Sequence, residues 1–98
     1  MDFNALLNED LRIAMLRGIE KGASYSMNDS MLHSYLCQIG HKCSRDQVRS
    51  QLQWLADQGL ITLEVPYGVM VATMTERGLD VANARATVPG VKRPSPRS

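Results

Sequence analysis

Residues 44 to 78 constrain the fold more than any other part of this 98-residue chain. Ser44 followed three residues later by Gln47 has the form of a capping box, in which each side chain accepts the other residue's backbone N–H, so a helix is predicted to start there. Val48, Leu52 and Leu55 recur at helical spacing and form an inner stripe, and Gly59 ends the helix. Two β-prone runs follow, Leu60-Ile61-Thr62-Leu63-Glu64-Val65 and Val69-Met70-Val71-Ala72-Thr73-Met74, on either side of Pro66-Tyr67-Gly68. They predict a hairpin. Thr75 then offers a hydroxyl to cap a closing helix that carries Leu79, Val81 and Ala82 toward a core.

Upstream, a first helix is expected over residues 4–21, with Leu7, Leu11, Ala14 and Gly18 on one face and Met15 beside them. Leu6, Ile13 and Leu16 lie well off that face. A helix apolar over most of its circumference needs more than one buried contact, and so short a chain has little to cover it with. A second subunit on the first helix is therefore expected ahead of full burial. Residues 23–26 follow Gly22 as a turn into a brief extended segment. A second helix is predicted over residues 28–39, capped by Ser26 or Asn28, with Leu32, Tyr35, Leu36 and Ile39 inward and Gly40 just past its end. The turn Gly40-His41-Lys42-Cys43 is as short as a helix-turn-helix requires. Helix, hairpin and closing helix in this order predict a mainly α chain with a small β-hairpin (α+β), a winged helix-turn-helix over residues 1–86. Trp54 falls at the flank of the third helix, where spacing does not decide between packing and exposure. Residues 87–98 hold three prolines, one glycine and three basic residues, and read as a flexible basic tail.

Hydrophobic residues make up 44% of the chain, too many for a disordered one, and no apolar run approaches the ~20 residues of a membrane span. The acidic start Met1-Asp2-Phe3-Asn4 lacks the basic flank and cleavage region of a signal peptide, so a cytoplasmic protein is expected. Net charge is +1, unevenly placed: residues 1–85 carry eight Lys/Arg against ten Asp/Glu, and Lys92, Arg93 and Arg97 follow without an acid. Such a body is not globally basic, so any affinity for nucleic acid has to rest on local patches. Two cysteines, Cys37 and Cys43, do not make a disulfide framework and read as reduced thiols.

Leu52-x-Trp54-Leu55, Gly59-Leu60-Ile61, the hairpin and Met74-Thr75-Glu76-Arg77-Gly78 resemble winged-helix regulators of the ArsR and MarR type. There the recognition helix ends in Gly-Leu-hydrophobic and the wing returns into a Thr-x-x-Gly helix start. Almost the whole chain also resembles a family of small proteins of Mu-like phages and prophages. That likeness runs from Phe3-Asn4-x-Leu6-Leu7-x-Glu9-Asp10-Leu11-Arg12 through Ser44-Arg45-Asp46-Gln47-Val48-Arg49 and Leu79-Asp80-Val81-Ala82 to Val88-Pro89-Gly90-Val91-Lys92-Arg93-Pro94. It implies a winged helix and a phage origin; an activity has to be read from the residues.

On a winged helix the third helix is the segment that enters a DNA groove. Ser50 and Gln53 share its outward face with Arg49 at the edge, and Arg45 lies at its N-terminal end. Arg49 suits guanine and Gln53 adenine, whereas Lys42, Ser44 and Arg45 suit phosphates. Gln47 completes the same polar end. A solvated helix presents a similar face, with Arg49 offsetting Asp46. The wing turn is neutral, with Glu64 behind it, and only Tyr67 is equipped to bond a phosphate or stack. DNA affinity is thus expected to be modest and salt-sensitive, with Lys92 and Arg93 of the tail supplying charge along a backbone or minor groove. Double-stranded DNA is the expected partner, bound by a homodimer formed through the first and last helices. The alternative is a winged helix that uses the same surface on a protein, in phage assembly or host takeover.

His33, Cys37, His41 and Cys43 have the residue types and close spacing of a zinc site, but Gly40 breaks the helix between the two pairs. Two exposed thiols and two surface histidines fit the same residues. Cys37 beside His33 or His41 lacks an orienting acid or oxyanion feature, and neither a phosphate loop nor paired carboxylates occur, so no enzyme and no cofactor are expected.

Overall fold

The structure, a computed structural model, describes residues 2–94. Among them the chain forms α1 (Phe3–Glu20), β1 (Ser26–Asn28), α2 (Asp29–Gln38), α3 (Arg45–Asp57), β2 (Ile61–Glu64), β3 (Val71–Met74) and α4 (Glu76–Ala82). The strands make one antiparallel sheet in the order β1-β3-β2. This α+β arrangement is compatible with the winged-helix order expected from the sequence.

Side-chain oxygens set the helix starts. Asp2, Asn28, Ser44 and Thr75 each accept a backbone N–H from the first turn of α1, α2, α3 and α4, which satisfies a donor that has no partner inside the helix. The capping box is present: the Gln47 amide reaches Ser44 Oγ at 3.1 Å and the Ser44 amide reaches Gln47 Oε1 at 2.9 Å. The brief extended segment is β1. Its Ser26, Met27 and Asn28 pair with Thr73, Ala72 and Val71 of β3, and the Ser26 and Thr73 hydroxyls bond across the pair.

One core joins the helices to the sheet. Met15, Leu16, Ile19, Leu32, Leu36, Val48, Leu52, Leu55, Leu60 and Ala72 have no exposed surface. Here α1 departs from expectation. It packs against α2, α4, β1 and β3, so Ile13 and Leu16 are buried within the single chain and need no second subunit. Leu7, expected inside, is exposed, as are Phe3 and Leu6. Ile39 is also half-exposed, because α2 ends at Gln38 and Ile39 caps it instead of extending its inner face.

The flexible tail is corrected for residues 87–94. Val88 and Val91 are buried in the core, the Lys92 amide donates to the Glu9 carbonyl at 3.2 Å, and Arg12 Nη1 donates to the Gly90 carbonyl at 3.0 Å. Proline and glycine here shape a strap whose two valines join the core. Residues 95–98, with Arg97, lie outside the described residues.

Candidate nucleic-acid interface

Burial of Val48, Leu52 and Leu55 turns the opposite side of α3 to solvent, where Asp46, Ser50, Gln53 and Asp57 stand exposed. Gln53 Nε2 donates to Asp57 Oδ1 at 3.1 Å, an exposed bond of little net value. Ser44 and Gln47 are exposed but committed to the cap. Lys42 is exposed in the turn before α3.

Arg45 and Arg49 are not simply solvated, and Asp46 is not their partner. Both reach Asp29 Oδ2, Arg49 through Nη1 at 2.9 Å and Arg45 through Nη2 at 3.3 Å. Asp29 opens α2 and is 1% exposed. Its other carboxylate oxygen accepts the Ser30 amide at 3.0 Å, and its own amide donates to the Met70 carbonyl at 2.9 Å. The pair differs in exposure: the Arg49 side chain is 35% exposed and that of Arg45 53%. Arg49 Nη1 also reaches the Gly68 carbonyl of the hairpin turn at 3.4 Å. Asp29 thus joins α2, α3 and the hairpin. Residue type gave no warning of it, since an aspartate at a helix start is ordinarily solvated and its burial arises from the β1–β3 pairing.

At the hairpin turn, Tyr67 is fully exposed with φ +52° and Gly68 follows at φ +80°. Val65 and Val69 on either side are exposed as well. The opposite flank of α3 meets α1 and the strap. Arg12 Nε donates to Gln51 Oε1 at 2.7 Å, and its guanidinium lies over Trp54. Lys92 pairs with Asp10 at 3.6 Å. Asp10, Lys42 and Gln47 line one open groove of about 780 Å³ between α1 and the α2–α3 turn. Arg93 is exposed one residue further along the strap. Arg49 thus stands on the hairpin flank of α3 and Arg12 on the strap flank.

His33, Cys37, His41 and Cys43, whose spacing resembles a zinc site, are not grouped as one among the described residues. His33 Nε2 lies 2.8 Å from the Cys43 carbonyl and 3.6 Å from Cys37 Sγ, so the ring nitrogen that would face a metal is occupied by backbone. Among the described residues no three His, Cys, Asp or Glu side chains are grouped to hold an ion. Burial, and then the nearby Cys37, push the Cys43 thiol above the usual range. No helix of the described residues is long and apolar enough to cross a membrane.

No protein-family model matches the chain, and no solved structure gives a significant match. Two relatives do. Over 95 residues, 97% of this chain and 98% of the relative, it is 47% identical to the uncharacterized protein gp26 of Escherichia phage Mu. Over 80 residues, 81% of this chain and 78% of the relative, it is 42% identical to an uncharacterized protein of Haemophilus influenzae. With that identity over nearly the full length of both chains, this protein belongs to the family of phage Mu gp26.

Proposed function

We propose that this protein is a phage-encoded winged-helix DNA-binding protein of ArsR/MarR-like architecture, acting as a transcriptional regulator in the cytoplasm of the bacterial host. The observation that carries the reading is the outward polar face of α3, set between an exposed hairpin on one flank and the cation-bearing strap on the other. A helix so presented fits a major groove, with the hairpin as wing.

Magnitudes divide the roles. A bidentate arginine–guanine pair contributes about 1–3 kcal/mol of discrimination. To make one, Arg49 would leave the buried Asp29, and orphaning such a charge costs about 3–5 kcal/mol, of which Arg45 offsets only a part. Arg49 therefore serves better as a fixed phosphate contact than as a guanine reader. Arg45 and Lys42, with Lys92 and Arg93 across the helix, supply further backbone contacts. Base reading falls to Ser50 and Gln53, whose exposed bond to Asp57 is cheaply exchanged. The exposed Phe3, Leu6 and Leu7 of α1 support a homodimer, which predicts a pseudo-palindromic site with half-sites about one helical turn apart.

The test is enrichment from a random duplex library at two salt concentrations, with Gln53→Ala and Arg45→Ala beside the wild type. One enriched motif, relaxed by Gln53→Ala and uniformly weakened by Arg45→Ala, supports the reading. Absence of enrichment and of salt-dependent binding at low salt defeats it. A second reading, a protein-interaction module, is favoured by the apolar tip of the wing at Val65, Tyr67 and Val69.

A further inference from the structure

We infer that Arg45 and Arg49 form a single clamp for one phosphodiester group of the DNA backbone, with the buried Asp29 as the positioning residue that draws the two guanidiniums together. The inference rests on the DNA reading and deepens it. Two arginines that could each serve a separate phosphate become one site, and Asp29 acquires a part in binding without touching the ligand.

The first observation is convergence. Arg45 and Arg49 stand four residues apart on α3 and so share a face. Both reach the same oxygen, Asp29 Oδ2, at 3.3 and 2.9 Å. Each gives that oxygen one nitrogen, whereas a single arginine can satisfy a carboxylate with both prongs of its fork. The second guanidinium is therefore more than Asp29 needs for neutrality. Two positive charges on one negative leave a net cation, and a phosphate entering between the guanidiniums relieves the repulsion that holding them close creates. Asp46, the next residue along α3, pairs with neither among the described residues.

The second observation is the donors left over. A guanidinium carries five N–H donors. Arg45 bonds the chain through Nη2 alone and Arg49 through Nη1 alone, among the described residues. The rest of each fork stays available on a side chain that keeps part of its surface in solvent. Arg12 is the contrast: its Nε and Nη1 bond Gln51 and Gly90, and its flat face covers Trp54. An arginine that serves the fold is spent in that way, and Arg45 and Arg49 are not.

The third observation is the fixed pivot. Asp29 Oδ1 accepts the Ser30 amide at 3.0 Å, and the Asp29 amide donates to the Met70 carbonyl at 2.9 Å. Two long side chains are thus ordered before the ligand arrives, which is the advantage of preorganisation. Gripping a phosphate also leaves Arg49 on Asp29, which reading a guanine does not.

The experiment titrates a duplex selected by the wild type with the full chain at several salt concentrations, with protein concentrations corrected for the folded fraction. Arg45→Ala and Arg49→Ala are each expected to weaken binding about tenfold and to lower the salt slope by about one. The double variant is expected to lose little more than either single one, because the phosphate is already lost. Additive losses, about a hundredfold with a slope lower by about two, overturn the clamp and leave two separate phosphate contacts with the DNA reading intact. Asp29→Asn keeps an acceptor for the Ser30 amide and removes the charge. It is expected to weaken binding about threefold to tenfold without lowering the salt slope, since both cations remain, and to make the two arginine losses additive. A merely structural Asp29 would change the folded fraction and leave that coupling in place, so coupling that persists in Asp29→Asn overturns the positioning role alone. If Asp29→Asn does not fold, Asp29→Glu takes its place: it keeps the charge but moves the meeting point, so weaker binding at an unchanged slope is expected, and wild-type affinity overturns the positioning role. A wild type that selects no duplex defeats the DNA reading and the clamp with it.

Discussion

The Arg12 guanidinium lies 3.9 Å from the centroid of the Trp54 ring, and through that contact α1, α3 and the C-terminal strap are fastened together. Arg12 also donates to Gln51 of α3 and to the Gly90 carbonyl. Burial lowers its pKa from the ordinary arginine range, and the nearby Glu9 charge opposes the shift. A guanidinium fits this place because it stacks on an indole face while its edge donors remain free for carbonyls.

Removal of residues 87–98 is consequently expected to destabilise the domain by about 2–4 kcal/mol, since it exposes the core positions under Val88 and Val91 and uncovers Trp54. Trp54 is the only tryptophan, so urea unfolding followed by its emission reads both effects. A lower midpoint with a red-shifted native spectrum is expected. An unchanged midpoint and spectrum would show that the strap contributes nothing to the fold.

Gly90 isolates the steric part of that contact. A Cβ there would fall 2.7 Å from Trp54 Cζ2 and 2.9 Å from Cη2, at φ +95°. Gly40 has nearly the same φ, +96°, with nothing within 4 Å. Gly40→Ala is expected to cost about 1–2 kcal/mol from its backbone alone, and Gly90→Ala about 1–3 kcal/mol more. Equal losses in thermal unfolding of the two variants would mean that Trp54 yields freely.

The two thiols are expected to differ in reactivity. Cys37 is exposed, whereas Cys43 is half-buried with its pKa raised. Because the thiolate is the nucleophile, alkylation near neutral pH followed by mass mapping should modify Cys37 first. Stability carries the same signature. A raised folded-state pKa means that the unfolded chain loses the Cys43 proton first, so this contribution is intact below the ordinary thiol range, about pH 8.5, and is lost as pH rises through the folded value. Cys43→Ser should flatten the alkaline fall in midpoint. Faster labelling of Cys43, or an identical alkaline fall in the variant, would contradict the assignment.

Local signals carried most of the fold. Ser44 with Gln47, Thr75 and the Val48-Leu52-Leu55 stripe act within one or two turns, and each forms the element its spacing predicts. What escaped was long-range. Ile13 and Leu16 looked surplus because a helix period does not reveal that a sheet and a strap will enclose it. Val88 and Val91 looked like tail because two valines among prolines carry no period. Asp29 carries no local signal for the same reason: both its arginines come from positions 16 or more residues away. The outward position of Ser50 and Gln53 was legible; the commitment of Arg49 was not.

That commitment gives the sharpest separation between folding and binding. Arg49 is the less exposed partner of Asp29 and makes the shorter bond, whereas Arg45 sits further out. Truncating Arg49 leaves a buried carboxylate with one longer contact and should cost about 1–3 kcal/mol, while Arg45→Ala should cost less than about 1 kcal/mol, as exposed pairs do. On DNA the two should look alike, because each removes one phosphate contact and should reduce the salt slope by about one. Stability is read by denaturant unfolding, and binding by titration of a selected duplex at several salt concentrations with protein concentrations corrected for the folded fraction. Relaxed preference at one guanine in Arg49→Ala would restore Arg49 as a base reader, and equal destabilisation by both variants would mean that Asp29 shares its charge evenly between them.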